Sequence, residues 1–317
     1  MKRIYLDQNI WLDIQLERNN ASLKGILKKI DREKIEIIYS PANCEEICNS
    51  YCSSNAGENI SEEEKDLRLN ILSKVTRNRE IIPYRNSFKI IHSFNRMGGP
   101  YIVLEHPADC FKRVYDNYES NTVAESSQQV SLDRASEISQ DVKSKLGNID
   151  IINILETDPS ASNLLLDKLA TKLIHSAAIN QLIKSGVKIQ PCTPLVEMII
   201  NQKIQTIRAS QSAYFFSKAE KILKNRNKSN ILFEGFNVSE SVIDAVMLTM
   251  IELGYASREV SMSSLHDNTH SIYGSYCDYF VSRDKRLLKK LTATYKYLGI
   301  GTKIINAKNE DWQSYLS

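Results

Sequence analysis

The chain opens on a short apolar run, Ile4-Tyr5-Leu6, that stops at Asp7. A run of this length ended by an acid predicts a buried strand over residues 3–6. From Ile10 the pattern turns helical, with Ile10, Leu12, Ile14 and Leu16 set among polar residues. The polar stretch LERNNASLKG bends the chain before a short helix over 26–30, and KIEIIYS then predicts a second strand over 35–39. Ser40-Pro41 opens the next helix, since serine caps well and proline suits a first turn. After a polar loop at 53–58, Ser61 caps a helix over 62–77.

EIIPYRNSF reads as a third strand or a loop, and Gly98-Gly99-Pro100 as a break. From about 105 to 235 helical periods dominate. The strongest covers 163–184, where Leu165, Leu169, Leu173, Ala178 and Leu182 share an apolar stripe closed by Gly186. A second long helix covers 195–224, while the polar stretch 126–141 fits an exposed helix or a loop. The last third predicts a helix over 239–253 stopped by Gly254, a helix over 267–274, a strand over 279–282, a basic helix over 285–297 and a closing strand over 302–305. Both ends are therefore α/β and the middle is helical.

Composition adds little to this picture. The 317 residues are 42% hydrophobic and 25% charged, ordinary globular values. No stretch reaches the roughly 20 apolar residues of a membrane helix. The opening MKRIYLDQNIWLDI meets Asp7 before an apolar core develops, so no signal peptide and a cytoplasmic location are expected. Net charge is only +3, but residues 283–296, RDKRLLKKLTATYK, gather six bases and one acid. That stretch, like the basic residues 218–228, suits either phosphate contact or a solvated helix face. Cys44, Cys48, Cys52, Cys110, Cys192 and Cys277 include no CxxC pair. The first three fall on one helix face, and the expectation is small packed side chains and no zinc site.

The acids carry the chemistry. Side chains just past the carboxyl ends of strands project into the crevice above an open α/β sheet. Asp7 follows the first strand and Asp284 lies two residues past Ser282, the end of another. Asp267, with His270 one turn later, begins the helix leading to that strand. Glu45 or Glu46 lies on the first turns after the second strand. Carboxylates converging in this way need a divalent cation to stay ionised at close range.

The segment IYLDQNIWLDI resembles the first strand and helix of PIN-domain nucleases, an apolar strand followed by Asp, any residue and Asn; here these are Asp7 and Asn9. IIYSPANCEEI is similar to that family's second strand and the helix bearing its Glu, with Glu46 the best fit. HDNTHSIYGSYCDYFVSRDKRLLKKL resembles the third and fourth elements, giving Asp267 and the Ser282-Arg283-Asp284 turn. The resemblance spans roughly the first 90 and last 60 residues.

It implies a PIN-like three-layer α/β fold around a mostly parallel sheet formed from both ends of the chain. Residues 1–95 and 240–317 would form that domain, with 96–239 a helical insertion. It also implies Mg²⁺- or Mn²⁺-dependent cleavage of RNA, or of DNA. Asp7, Asp267 and Asp284 would hold the metal and Glu46 would complete the cluster. Asn9, His270 and Ser282 would support them, and Arg283, Lys285, Arg286, Lys289 and Lys290 would meet the substrate backbone. An antitoxin or regulatory protein and a second copy of the chain are open as partners, no membrane is expected, and a toxin or defence role is favoured over RNA processing. The competing reading is a PIN-like binding module that does not cut. A phosphatase is disfavoured because DQNIW lacks a second Asp at the required spacing.

Overall fold

The computed structural model describes residues 1–52, 59–83, 88–94, 98–116, 150–187, 194–227, 231–256 and 263–317. The stretches expected as a loop at 53–58 and as a helix or loop at 126–141 lie outside these, as does Cys192. The chain divides into two compact units. The first comprises Met1–Asp116, Thr269–Tyr295 and Ile300–Ser317; the second comprises Asn117–Asn268 and Lys296–Gly299.

The first unit is built on a parallel sheet of β1 (Lys2–Leu6), β2 (Ile35–Ile38), β6 (Tyr279–Ser282) and β7 (Lys303–Asn306), in the order β2-β1-β6-β7. Every residue of β2 is buried, as are the last three of β1 and of β6. Such near-continuous burial suits strands covered on both faces. α1 (Gln8–Gln15) and α2 (Leu23–Lys29) lead from β1 to β2, and α3 (Pro41–Cys52) and α4 (Glu62–Thr76) follow. Ser22 and Ser61 accept hydrogen bonds from Gly25 N and Glu64 N, each at 3.2 Å, and so fix where α2 and α4 begin.

β3 (Arg79–Ile82), β4 (Lys89–Ser93) and β5 (Tyr101–Leu104) form a second, antiparallel sheet in the order β3-β5-β4. β3 also touches the parallel sheet: Tyr39 N donates to Arg79 O at 3.1 Å, and Ile81 N to Tyr39 O at 2.8 Å. Gly99 has φ +64°, and a Cβ there would lie 2.3 Å from Pro83 O, so this turn requires glycine. α5 (Pro107–Tyr115) closes this part of the unit.

The second unit is helical among the described residues: α6 (Ile151–Thr157), α7 (Pro159–Lys184), α8 (Pro194–Asn225) and α9 (Phe236–Glu252). Leu165, Leu169, Leu173, Ala178 and Leu182 are buried, as their spacing predicts, and α7 packs against α6, α8 and α9. α10 (Ser263–Gly274) is divided between the units at Asn268 and Thr269, and α11 (Lys285–Leu298) after Tyr295.

Mixed α/β architecture and a parallel sheet formed from both chain ends agree with the expectation. β5, which follows Gly98-Gly99-Pro100, pairs with both β3 and β4 within the first unit, and α9 packs on α7 within the second.

Candidate acidic site at the strand ends

β1 has β2 on one side and β6 on the other, so the strand order reverses direction between β1 and β6. In open α/β sheets this is where ligands bind, outside the carboxyl ends of the strands. Asp7 and Asp284 follow the two strands that border this point. Leu6 is in register with Val281, and Asp7 N donates to Val281 O at 3.0 Å.

Asp7 is 5% exposed. It caps α1, with Oδ1 accepting from Gln8 N at 2.9 Å. Its Oδ2 accepts from Ser282 Oγ at 2.6 Å and from Asn9 Nδ2. Ser282 is fully buried and works in two directions, because the same Oγ accepts from Asp284 N at 3.0 Å and from Asn9 Nδ2 at 3.1 Å. Asn9 Oδ1 accepts from Arg283 N at 3.0 Å. The turn bearing Asp284 is thus tied to the carboxylate of Asp7 through one hydroxyl and one amide. Asp284 is exposed, and its Oδ1 caps α11 by accepting from Arg286 N at 2.7 Å and Leu287 N at 3.1 Å.

A second network lies beside the first. Tyr5, fully buried on β1, has its hydroxyl 2.7 Å from Ser40 Oγ and 2.7 Å from His270 Nδ1. His270 Nε2 stands 3.3 Å from Glu46 Oε1. Burial holds the Tyr5 hydroxyl well above its ordinary pKa, and the charges of Asp7 and Glu46 add to this against the hydrogen bond with Ser40. Tyr5 therefore stays protonated. A protonated Tyr5 hydroxyl can donate to His270 Nδ1, which leaves the Nε2 edge of the ring towards Glu46. Tyr5 then accepts from Ser40. Glu46 Oε2 is buried without a hydrogen-bond partner among the described residues.

Asn9 and Ser282 contact Asp7, and His270 stands beside Glu46. Asp267 is half-buried on α10, three residues before His270, in the part assigned to the second unit. Arg283 Nη1 lies 2.9 Å and 2.8 Å from the two carboxylate oxygens of Asp13, which is 2% exposed. Lys290, also expected at the surface, is 2% exposed, whereas Lys285, Arg286 and Lys289 are exposed on α11. Of the basic residues 218–228, Lys218 and Lys221 line a cavity of about 540 Å³ in the second unit, together with Tyr214 and Ile222.

Asp7, Glu46 and Asp284 supply only oxygen donors, and the partnerless Glu46 Oε2 is an acceptor in want of a ligand; both fit a hard cation such as Mg²⁺ or Mn²⁺. Among the described residues, however, the group that already gathers three ligand atoms within 4.8 Å of one another is Glu80, Glu105 and Cys110. The sequence does not mark this group. Its members come from β3, the end of β5 and α5, and no local spacing joins them. Comparison with known proteins gives no match, whether to family models, to curated proteins or to solved structures.

Proposed function

We propose that the chain is a divalent-metal-dependent nuclease of PIN-like type that cleaves phosphodiester bonds in RNA. The observation that carries this reading is the bridge from Asp7 through Ser282 to Asp284 at the ends of two adjacent parallel strands. In this reading Asp7 and Asp284 hold the metal. A bound Mg²⁺ or Mn²⁺ would activate water and neutralise phosphate charge. Asn9 and Ser282 fix the Asp7 carboxylate by donating to Oδ2. Glu46, oriented by His270, accepts a hydrogen bond from the attacking water. Lys285 and Arg286 contact the nucleic-acid backbone, which positions the substrate without reading its sequence.

The test is cleavage of single-stranded RNA by the purified chain with Mn²⁺ or Mg²⁺. Cutting in the presence of metal, stopped by a chelator and lost in Asp7→Asn with the circular dichroism spectrum unchanged, is the expected result. Metal-independent cutting, or full activity in Asp7→Asn, sinks the proposal. A toxin or defence effector is the role we attach to it, since an intracellular RNase acting on cellular or invading RNA suits that use.

One observation favours a second reading, a PIN-like module that binds nucleic acid without cutting. The Asp284 carboxylate is engaged as a helix cap, and no three of the proposed site acids lie within 4.8 Å of one another among the described residues. This reading predicts RNA affinity with no metal-dependent turnover.

A further inference from the structure

Glu80 and Cys110 are fully buried and Glu105 is 6% exposed. One atom of each lies within 4.8 Å of the others. Zinc with carboxylate and thiolate ligands has bonds of roughly 2.0–2.3 Å, so small side-chain shifts would bring such a group onto one ion. The three stand on regular elements: β3 supplies Glu80, the residue following β5 is Glu105, and α5 supplies Cys110. Tyr39 Oη donates to Glu105 O at 2.7 Å, which fixes the end of β5 to the parallel sheet.

With both carboxylates ionised, the charges in this cluster do not balance. Arg113 Nη2 donates to Glu80 Oε1 at 3.0 Å and to Glu105 Oε2 at 2.8 Å, and Cys110 Sγ donates to Glu80 Oε1 at 3.1 Å. Two carboxylates thus share one guanidinium in a buried place, where a surplus charge is costly. Glu80 Oε2 is buried and has no hydrogen-bond partner among the described residues. Something must supply one further positive charge and meet that oxygen. A proton shared between the carboxylates does both. A divalent ion does both as well, provided that Cys110 ionises. Arg113 and the ion then face two carboxylates and one thiolate, and the sum is zero.

We propose that Glu80, Glu105 and Cys110 form a zinc site, with the Cys44 thiol packed beside it. Cys44 lies against Cys110, and its Sγ donates to Pro107 O at 3.6 Å. Sulfur beside carboxylate selects Zn²⁺ over Mg²⁺ or Ca²⁺, which take oxygen ligands. Binding displaces one proton from the carboxylate pair and one from Cys110, while Arg113 keeps its bonds to the outer carboxylate oxygens. The ion would clasp β3, the end of β5 and α5 together. The site is separate from the acids at the β1 and β6 ends and does not depend on their function.

The full chain is purified without chelator, its zinc measured per chain, and the zinc then exchanged for Co²⁺. One zinc per chain and a near-ultraviolet thiolate-to-cobalt charge-transfer band support the site, as does a melting temperature lowered by chelation. Cys110→Ser should lose the band. Because that variant could fail to fold, Cys48→Ala/Cys52→Ala serves as the second arm: these cysteines, with sulfurs 3.9 Å apart, are the rival place for a soft metal. Zinc and band must survive in that double variant. Folded wild-type chain with well under one zinc and no cobalt band overturns the proposal and leaves the shared proton as the occupant; so does loss of the band in Cys48→Ala/Cys52→Ala.

Discussion

Asp7 and Glu80 are both buried carboxylates in the same unit, each close to a second acid, yet their surroundings differ. The hydrogen bonds to Asp7 from Ser282, Asn9 and Gln8 come from neutral donors, which orient the carboxylate without cancelling its charge. Glu80 shares a guanidinium with Glu105 inside the fold. Asp284, tied to Asp7 through Ser282, is exposed, whereas the carboxylate of Glu80 is met by Arg113 inside the fold. The two clusters also differ in donor chemistry, oxygen alone against oxygen with sulfur. On the two proposals, that difference suits them to different metals.

The comparison is most exposed at Asp7. Asp7→Asn removes the charge and keeps the size, so metal-dependent RNA cleavage should fall by more than about 100-fold, beyond the usual effect of losing an outer-shell partner. Activity against Mn²⁺ concentration is the measurement. A loss restored by more Mn²⁺ marks weakened binding of the ion. A small loss would mean that Asp7 is a helix cap and no more.

At the other cluster the predicted loss is in stability. Arg113→Met leaves Glu80 and Glu105 facing each other without their guanidinium, and breaking a buried pair from one side costs about 3–5 kcal/mol. The Arg113 side chain is 28% exposed, which places the expectation at the lower end, about 3 kcal/mol, read by urea denaturation. An unchanged midpoint would show that the carboxylates do not depend on Arg113.

Ser282→Ala comes next. It deprives Asp7 Oδ2 of a donor and Asp284 N of an acceptor while leaving both acids in place. Removing such a supporting partner reduces metal affinity or activity by about 10–100-fold. Ser282→Thr keeps the hydroxyl and should recover much of it. If alanine and threonine behave alike, the bridge between the strand ends plays no part in the chemistry.

These two sites were not equally visible in the sequence. Asp7 and Ser282-Arg283-Asp284 each follow a short apolar run, so local pattern locates both at strand ends, and the parallel sheet then brings them together. Glu46 and His270 are separated by more than 220 residues, but each is placed by a helix that the pattern predicts, and they meet at 3.3 Å. The partnership of Arg283 with Asp13 was not readable, because Asp13 lies within a helical pattern that gives no sign of a buried acid. Glu80, Glu105 and Cys110 were missed for a related reason. Glu80 sits in a four-residue strand between Arg79 and Ile81, and β4, with burial alternating along KIIHS, gave no sign that residues 89–93 and 101–104 pair in a sheet. A zinc search based on cysteine spacing fails where the donors come from three elements and two are carboxylates.

The smallest predicted effect asks whether internal compensation of acids extends to the second unit. Glu252 of α9 is 7% exposed and paired with Lys168 of α7. Desolvation outweighs the attraction of Lys168, so its carboxyl titrates above the ordinary range. A raised carboxyl pKa means that the folded chain holds this proton more tightly than the unfolded chain. The stabilisation it gives is complete below the unfolded value of about 4.3 and is lost as pH rises through the folded value. The slope cannot exceed about 1.4 kcal/mol per pH unit. The melting temperature of the wild type minus that of Glu252→Gln should therefore fall as pH is raised from about 4 to about 6, and level off above. The difference between proteins isolates this residue from other carboxylates that titrate over the same range. A difference that rises with pH would mean that Lys168 outweighs burial, making Glu252 a carboxylate held ionised by its cation.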